Sequence, residues 1–468
     1  MNRTARVRAV AFVLAGGPVV SVHGQLAVLR SRRVPWSCIA AGGSFALARL
    51  ADGTVTAWGR NDHGQLGLGV ADAEGAAAPV GHLPRTVSGV RNVMSVAAGA
   101  DHALALLADG TVRAWGSNAH GQLGNGSPHD DPRRTVYRDS PVPVLVPGIA
   151  NAVGIAASRE RSVALLADGT VWSWGDGSEG AAGDGVYATS LMAGTERLVP
   201  VEAVGIRTAV AIAAGSRHTL ALLANGTVWA WGWNEQGQLG NASKKASAVP
   251  VQVPGISNAI AIAAGTEHSL AVLADGSVRA WGWNVDGRLG NGTKGEGTDS
   301  SVPVAVHGVA DAVGVAAWAQ SYALLADGSL RAWGYGYYGA LGAGTSEHSA
   351  RPLRVKGITT AAEVAAGGSA GVALLTDGTV RAWGGGMISD PGNAAHTSKV
   401  PVPVAGVTNA FAPECAGEGR AGGSRHHRLG RLRGGHVDSA AGTGGVGAAP
   451  AGGEQGKQGR SWTRTRVP

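Results

Sequence analysis

The sequence predicts an all-β protein, a seven-bladed β-propeller built from four-stranded blades. One segment, LLADGTVRAWGSNAHGQLGNG at 106–126, returns in seven copies whose tryptophans lie 50–59 residues apart. Every copy contains an Asp-Gly or Asn-Gly pair and a Trp-Gly pair, and a Pro and a Gly five residues apart follow it. Repeats of this length, with short apolar runs and no helical period, are typical of propeller blades. A β-solenoid is the alternative, although its repeats are usually shorter.

The repeat aligns without gaps between its two marker pairs. The Asp (Asn in one copy) falls at 52, 109, 168, 225, 275, 327 and 377, and the Trp follows at 58, 115, 174, 231, 281, 333 and 383. One unit predicts strands at 258–265 (NAIAIAAG), 269–274 (SLAVLA) and 277–282 (SVRAWG), then a strand of the VPVQVPG type. Asp-Gly between strands predicts a two-residue hairpin turn with positive φ at both residues. The Pro in the fourth strand suits a sheet edge, where no ladder N–H is needed.

The third strand has one bulky and one small face. Its Trp shares a face with the residue two positions earlier, whereas Ala or Ser and Val or Leu line the other face. Such a sheet nests against its own copy, so each Trp is expected to fill the small face of a neighbouring blade. The Ala-Ala-Gly of the first strand fits the crowded axis of a ring. We expect the ring to close where Ile39–Gly42 meets Val400–Val404.

The motif DGTVxAWGxNxxGQLG resembles the regulator of chromosome condensation repeat family over residues 38–412. Gly-Gln-Leu-Gly is intact at 64–67, 121–124 and 237–240 and changes to Gly-Arg-Leu-Gly at 287–290. The resemblance implies a seven-bladed propeller that binds a protein partner through its loops and is not an enzyme. The family also includes an exchange factor, a plant photoreceptor and a secreted β-lactamase inhibitor. Guanine-nucleotide exchange on a small GTPase and inhibition of a hydrolase such as β-lactamase therefore stay open as alternatives. Ser216 replaces the light-absorbing Trp of the photoreceptor motif, which disfavours photoreception.

Charge and composition place the ends of the chain apart from the repeats. Residues 1–35 form a basic N-terminal segment, a signal peptide or an arm; 36–412 form the propeller; 413–468 form a Gly/Arg-rich tail that reads as disordered or frameshifted. The net charge of +7 comes from the two ends, so the repeats lack a basic footprint for nucleic acid. The excess of Arg over Lys is typical of a bacterial coding sequence. Localisation stays open between secreted or cell-surface and cytoplasmic, and no apolar run is long enough to span a membrane.

Candidate sites on this sequence are surfaces for a partner. No catalytic motif or zinc spacing appears, so we expect no catalytic residue, no metal and no cofactor, and a monomeric ring. His102, His218 and His268 recur at one repeat position, which indicates a structural role in bonding a neighbouring blade's backbone; blade six places Ser321 or Tyr322 near this position. Exposed aromatic side chains are expected to contribute to an interface; the candidates that follow a Trp-Gly pair are Trp233, Trp283, Tyr335, Tyr337 and Tyr338. Packing of these side chains under the following loop is the alternative.

The connections after the first three Trp-Gly pairs are the longest in the repeat. They run over 59–83, 116–142 and 175–199, and they occupy one structural position in successive units. Extra length is therefore expected on one arc of the ring, where loops commonly bind partners. At the centre of this arc we place four candidate partner contacts: Arg133, Arg134, Tyr137 and Arg138. Tolerated insertions with no function are the alternative.

Overall fold

A computed structural model describes residues 36–72, 83–126, 138–188, 195–386 and 397–410. Its strands form seven antiparallel sheets of four strands, and each sheet is built from consecutive strands of the chain. This is the seven-bladed propeller that the repeats predict. Every Trp-Gly pair lies on the third strand of its blade, as expected.

Strand bounds repeat from blade to blade. The first strands, which surround the central channel, are β1 (Ile39–Ala41), β5 (Val93–Ala98), β9 (Ala152–Ser158), β13 (Ala209–Ala214), β17 (Ala259–Ala264), β21 (Ala312–Ala317) and β25 (Ala361–Gly367). The second strands are β2 (Phe45–Arg49), β6 (His102–Leu107), β10 (Arg161–Leu166), β14 (His218–Leu223), β18 (His268–Leu273), β22 (Gln320–Leu325) and β26 (Ala370–Leu375).

The outer half of each blade carries the tryptophan and the sheet edge. The third strands are β3 (Val55–Gly59), β7 (Val112–Gly116), β11 (Val171–Asp176), β15 (Val228–Gly232), β19 (Val278–Gly282), β23 (Leu330–Gly334) and β27 (Val380–Gly385). The outer strands are β4 (Arg85–Thr86), β8 (Ser140–Leu145), β12 (Glu196–Glu202), β16 (Ser247–Gln252), β20 (Ser300–Ala305), β24 (Ser349–Arg354) and β28 (Thr397–Pro403). Two short 3₁₀ turns occur at Ser178–Gly180 and Tyr337–Gly339. In blades two to seven the repeated Pro lies in the outer strand, at the sheet edge, as predicted; in blade one Pro84 directly precedes β4.

The ring closes between the first strands of blades one and seven. β1 contacts β25 and β26, and successive first strands contact one another around the channel. We expected β1 to meet Val400–Val404, but most of that segment lies in β28, the outer edge strand of blade seven, and the strands that β1 contacts are β25 and β26. Val404 is the exception, because it packs in the same hydrophobic cluster as Ile39. Trp36 and Ser37, just before β1, bond the first strands of two other blades. The Trp36 indole donates to the Val153 carbonyl of blade three (3.2 Å), and the Ser37 N–H donates to Ser95 Oγ of blade two (3.0 Å).

The Asp-Gly turns differ from the predicted two-residue hairpin. Leu50 N–H donates to the Thr54 carbonyl (2.8 Å), so three residues separate the strands, and of these only Gly53 has positive φ (76°). A carboxylate oxygen of Asp52 accepts the N–H (2.9 Å) and the hydroxyl (2.6 Å) of Thr54. The Asp therefore serves as a local acceptor that shapes the turn rather than as a residue in a strained conformation.

The tryptophans pack between blades as the two-faced strand predicts. Trp115 is fully buried against Leu47, Val55, Ala57 and Leu66 of the preceding blade, and the same arrangement recurs in seven separate clusters around the ring. The indole N–H of Trp115 donates to the Gln65 carbonyl (2.9 Å). Equivalent bonds link Trp174, Trp281, Trp333 and Trp383 to the preceding blade. Gly-Gln-Leu-Gly is therefore the socket for the next blade's tryptophan.

Candidate partner-binding face

One face of the ring carries the candidate residues that the structure describes. The turns between first and second strands and the connections between third and outer strands emerge on it, and we call it the loop face. The Asp-Gly turns emerge on the opposite face. Because each blade contributes the same two segments, differences in their side chains mark where the loop face is specialised.

The repeated histidines are structural and do not belong to a binding site. The Nε2 atoms of His102, His218 and His268 lie 2.8–3.0 Å from a serine hydroxyl of the next blade. Ser162, bonded by His102, donates in turn to the Gln122 carbonyl (2.8 Å), so Nε2 must be the donor. At Nε2 the acceptor is therefore a side-chain hydroxyl and not the expected backbone of the neighbouring blade. In blade six the position holds Gln320, not Ser321 or Tyr322.

Burial accounts for the electrostatics of these histidines. It lowers the pKa of His102 to about 4 and that of His218 to about 3, and it holds the pKa of His268 well below the ordinary range. The Nδ1 atoms of His218 and His268 have no hydrogen-bond partner, so a second proton there would be buried without an acceptor. For His102, burial outweighs a hydrogen bond with the Arg159 backbone that acts to raise the pKa. In the described part of the chain, no three His, Cys, Asp or Glu side chains are grouped to hold a metal ion.

A loop asparagine organises four of the connections, and three blades lack it. Asn284 Oδ1 accepts the Leu289 N–H (2.9 Å) while its Nδ2 bonds Thr293, and Asn61, Asn118 and Asn234 accept the equivalent leucine N–H. Blades three, six and seven have glycine instead, at Gly177, Gly336 and Gly386. In blades three and six the connection forms a 3₁₀ turn with a non-glycine residue in the left-handed region: Glu179 (φ 57°) and Tyr338 (φ 59°).

Blade five carries a rigidly supported indole. The Arg288 guanidinium lies over the Trp283 ring, 4.2 Å from the ring centroid. Arg288 also donates to Asp286 Oδ2 (2.8 and 3.1 Å) and to the Thr266 hydroxyl (2.6 Å). Arg288 replaces the Gln of Gly-Gln-Leu-Gly, so a departure from the repeat motif was the sequence signal for this support. An indole that stacks on a hydrogen-bonded guanidinium keeps its orientation before any partner binds.

Blade six continues the aromatic surface. The rings of Tyr335, Tyr337 and His348 pack together with centroids 4.4–5.2 Å apart. His348 Nδ1 accepts the Gly336 N–H (3.0 Å), and its Nε2 lies 3.7 Å from Asp286 Oδ1. Asp286 thus connects blade six to Arg288. Burial raises the pKa of the Tyr335 phenol, although a hydrogen bond with Ser369 opposes the effect.

The tips of this surface are open to solvent. Tyr337 is 53% exposed and Tyr338 is 59% exposed, whereas Trp283 and Tyr335 are half-buried. Tyr338 also keeps its left-handed backbone, which is costly for a bulky residue and marks functional positions more often than ordinary ones. We call Trp283, Tyr335, Tyr337, Tyr338 and His348 the aromatic patch. Trp233 is half-buried in the neighbouring blade four, at the position equivalent to Trp283.

The first three blades present charged groups on the same face. His63 Nδ1 lies 2.7 Å from Asp139 Oδ2. Burial lowers the pKa of His63, but the hydrogen bond with Asp139 and the charges of Asp139, Asp62 and Asp101 outweigh it and raise the pKa overall. Of the candidates on this arc, Arg138 is exposed next to Asp139, while Arg133, Arg134 and Tyr137 lie outside the described residues.

Family models match most of the chain. The RCC1-like domain matches residues 20–317, more than half of the 468 residues, and the regulator of chromosome condensation (RCC1) repeat matches residues 327–374. The chain belongs to the RCC1-like domain family. The family predicted from the repeat motif is confirmed, whereas the bacterial origin stays a prediction.

Relatives in this family are similar over part of the chain. The ultraviolet-B receptor UVR8 of Arabidopsis thaliana is 32% identical over 225 residues, which cover 48% of this chain and 45% of the receptor. The human E3 ubiquitin-protein ligase HERC2 is 30% identical over 234 residues, which cover 48% of this chain and 4% of the ligase. The matched segments thus span less than half of these curated relatives, and their activities are not carried over from the match.

Solved structures share the fold. Prp20p of Saccharomyces cerevisiae superposes with a TM-score of 0.63 at 23% identity, covering 76% of this chain and 87% of that chain. Human WBSCR16 superposes with a TM-score of 0.64 at 24% identity, covering 75% and 94%. Likeness at this level of identity shows the propeller and nothing finer. Across the described ranges, no helix is long and apolar enough to cross a membrane.

Proposed function

We propose that this RCC1-like propeller is a non-enzymatic scaffold that binds a protein partner through the loop face, with the aromatic patch as the centre of the contact. The observation that carries the proposal is the pair Tyr337 and Tyr338, both more than half exposed, with the Tyr337 ring packed against Tyr335 and His348. Tyrosine and tryptophan dominate binding energy at protein interfaces when they are held in place. Relatives of the same fold bind proteins: Prp20p has been studied with Gsp1p and histones, and it has been solved with Kap60.

Replacing the two exposed tyrosines together, Tyr337→Ala with Tyr338→Ala, is expected to weaken partner capture about tenfold or more, since both side chains lie at the proposed centre. The full chain serves as bait, and the recovered proteins are quantified by mass spectrometry. The matched control is Tyr187→Ala, another loop-face tyrosine that is 53% exposed but lies on blade three and bonds Glu179. A partner that the double variant retains as well as the control does would contradict the proposal.

Arg288→Gln tests the support beneath Trp283. The substitution restores Gly-Gln-Leu-Gly, a motif the chain already uses beside Trp233, so the blade is expected to fold. Without the guanidinium the indole loses its stacking partner, and the recovered partner is expected to bind several-fold more weakly. Thermal unfolding followed by circular dichroism provides the folding control. Unchanged affinity in a folded Arg288→Gln protein would mean that Trp283 needs no support, or is not part of the contact.

A further inference from the structure

The aromatic patch has open ring faces beside carboxylates. Tyr337 and Tyr338 expose more than half of their surface, and the exposed Glu347 directly precedes His348 of the patch. The charge of Asp286 reaches Tyr335, where it helps to raise the pKa of the phenol after the larger effect of burial. Tyrosine rings carry negative potential on their faces. Rings and carboxylates together favour a positively charged group over an anion or an apolar one.

The chain already uses this chemistry next to the patch. Arg288 occupies the face of Trp283 at 4.2 Å from the centroid and is neutralised by Asp286 (2.8 Å). The rings of Tyr337 and Tyr338 have no such cation among the described salt bridges and ring contacts. Lys294 donates to the His348 carbonyl (3.4 Å), so it is held by the backbone beside the patch and is not among the cations found over a ring. Trp283 is thus paired within the molecule, whereas the exposed parts of Tyr337 and Tyr338 carry no stacked cation in the described part of the chain.

The rest of the loop face has the same sign of charge. In its described turns and connections, thirteen Asp and Glu residues stand against eight Arg and Lys residues. Glu267 is half-buried at the mouth of the channel, where burial raises its pKa against the pull of Arg288, Arg159 and Arg217. An approaching basic segment would be attracted by the whole face, and an acidic one would be repelled.

We propose that the partner meets the aromatic patch with an arginine or lysine side chain that stacks on Tyr337 and Tyr338, and that the flanking basic residues of the partner lie along the acidic loop face. The inference rests on the proposed function and adds the chemistry of the partner segment. Arginine fits best, because its planar guanidinium stacks on aromatic faces while its N–H groups reach carboxylates. The other occupants of such a patch, an apolar or an acidic segment, are alternative outcomes of the test.

Two pairs of substitutions separate a stacked cation from apolar docking. Tyr337→Phe with Tyr338→Phe keeps the aromatic faces, whereas Tyr337→Leu with Tyr338→Leu keeps apolar area but removes them. The probes are labelled ten-residue peptides of alternating Arg and Ser or alternating Glu and Ser, titrated into the full-length protein by fluorescence anisotropy at low salt. Tyr187→Leu is the control for loss of a loop-face tyrosine outside the patch.

The Arg peptide is expected to bind wild type, the Phe pair and the Tyr187→Leu control within about twofold of one another, and the Leu pair about fivefold or more weakly. The Glu peptide is expected not to bind. The proposal of a stacked cation is overturned if the Leu pair binds the Arg peptide as tightly as wild type does, if the Glu peptide binds as tightly as the Arg peptide, or if the Arg peptide does not bind wild type. The peptide results do not decide the proposed function. If the Tyr337→Ala, Tyr338→Ala protein loses partner capture while the Arg peptide does not bind wild type, the proposed function stands and only the stacked cation is rejected.

Discussion

Acidification from pH 6.5 to pH 5 is expected to lower the free energy of unfolding by about 3 kcal/mol. The cause is three histidines that the folded ring holds neutral: His102, His218 and His268. Each donates from Nε2 to a serine of the next blade, so protonation would place a charge inside a contact between blades. A loss of this size is a large share of the stability of an ordinary domain.

The sign follows from where the protons bind. In the unfolded chain the three imidazoles take up protons near their ordinary pKa of 6.5, whereas in the folded ring the pKa is lowered to about 4 for His102 and about 3 for His218. Their contribution to stability is therefore complete above pH 6.5 and is lost as the pH falls towards the folded values. Each costs about 1.6 kcal/mol between pH 6.5 and pH 5, because the slope reaches its limit of about 1.4 kcal/mol per pH unit only well below the unfolded pKa. Glu363 acts in the opposite direction above pH 4.5 and offsets the loss from about one of the three histidines.

Urea unfolding at several pH values between 7.5 and 5 measures the loss. The matched variant changes all three histidines to Gln, which blade six already uses, fully buried, at this position as Gln320. The variant should not lose stability over this range, because Gln does not titrate. Some Asp-Gly turns also lose stability on acidification, because hydrogen bonds to Thr or Ser lower the pKa of Asp52, Asp109, Asp275, Asp327 and Asp377 below the ordinary 3.8. That loss falls mostly below the pH range of the experiment. A parallel decline in wild type and variant would contradict the assignment.

Spacing along the chain predicts what repeats within each blade. The Trp-Gly pair, the outer Pro and the small face opposite the Trp return with fixed offsets, so the strands and their packing could be derived from them. Hydrogen bonds between side chains of neighbouring blades are harder to predict from the spacing. The bond from His102 to Ser162 spans 60 residues, and the neighbouring connections vary in length, so no constant offset reveals it.

Departures from the repeat carry the information on the candidate site. Arg288 replaces Gln in the Gly-Gln-Leu-Gly motif, and it supports Trp283 and links to blade six through Asp286. His348 had no sequence signal at all, because it lies at the end of a connection whose path depends on Gly336 in place of an asparagine. The aromatic residues themselves were found from the sequence because they directly follow a Trp-Gly pair, in a segment that emerges on the same face in every blade.

Glu363 is a further departure, and it lies at the seam of the ring. The equivalent positions of the first strands hold small residues, Ser95 and Ala211 among them, whereas blade seven places a carboxyl group there. Its Oε2 accepts the Cys38 N–H of blade one (2.9 Å), and Ser37 adds a side-chain hydrogen bond. Burial of the carboxyl group raises its pKa to about 8 in spite of these donors.

Glu363→Gln is therefore expected to stabilise the ring, by about 2–3 kcal/mol at pH 8 and by little at pH 5. Between pH 4.5 and pH 8 the folded protein holds a proton on Glu363 that the unfolded chain has released, so wild-type stability falls as the pH rises through this window. Gln removes the titration and keeps a carbonyl oxygen for the Cys38 N–H. Glu363→Ala is the contrast, because it leaves that N–H and Ser37 without their acceptor and is expected to destabilise the seam by about 1–3 kcal/mol. Urea unfolding at pH 5, 6.5 and 8 measures all three proteins. A Glu363→Gln protein that is less stable than wild type at pH 8 would show that the carboxylate is ionised there and closes the ring as a charged acceptor.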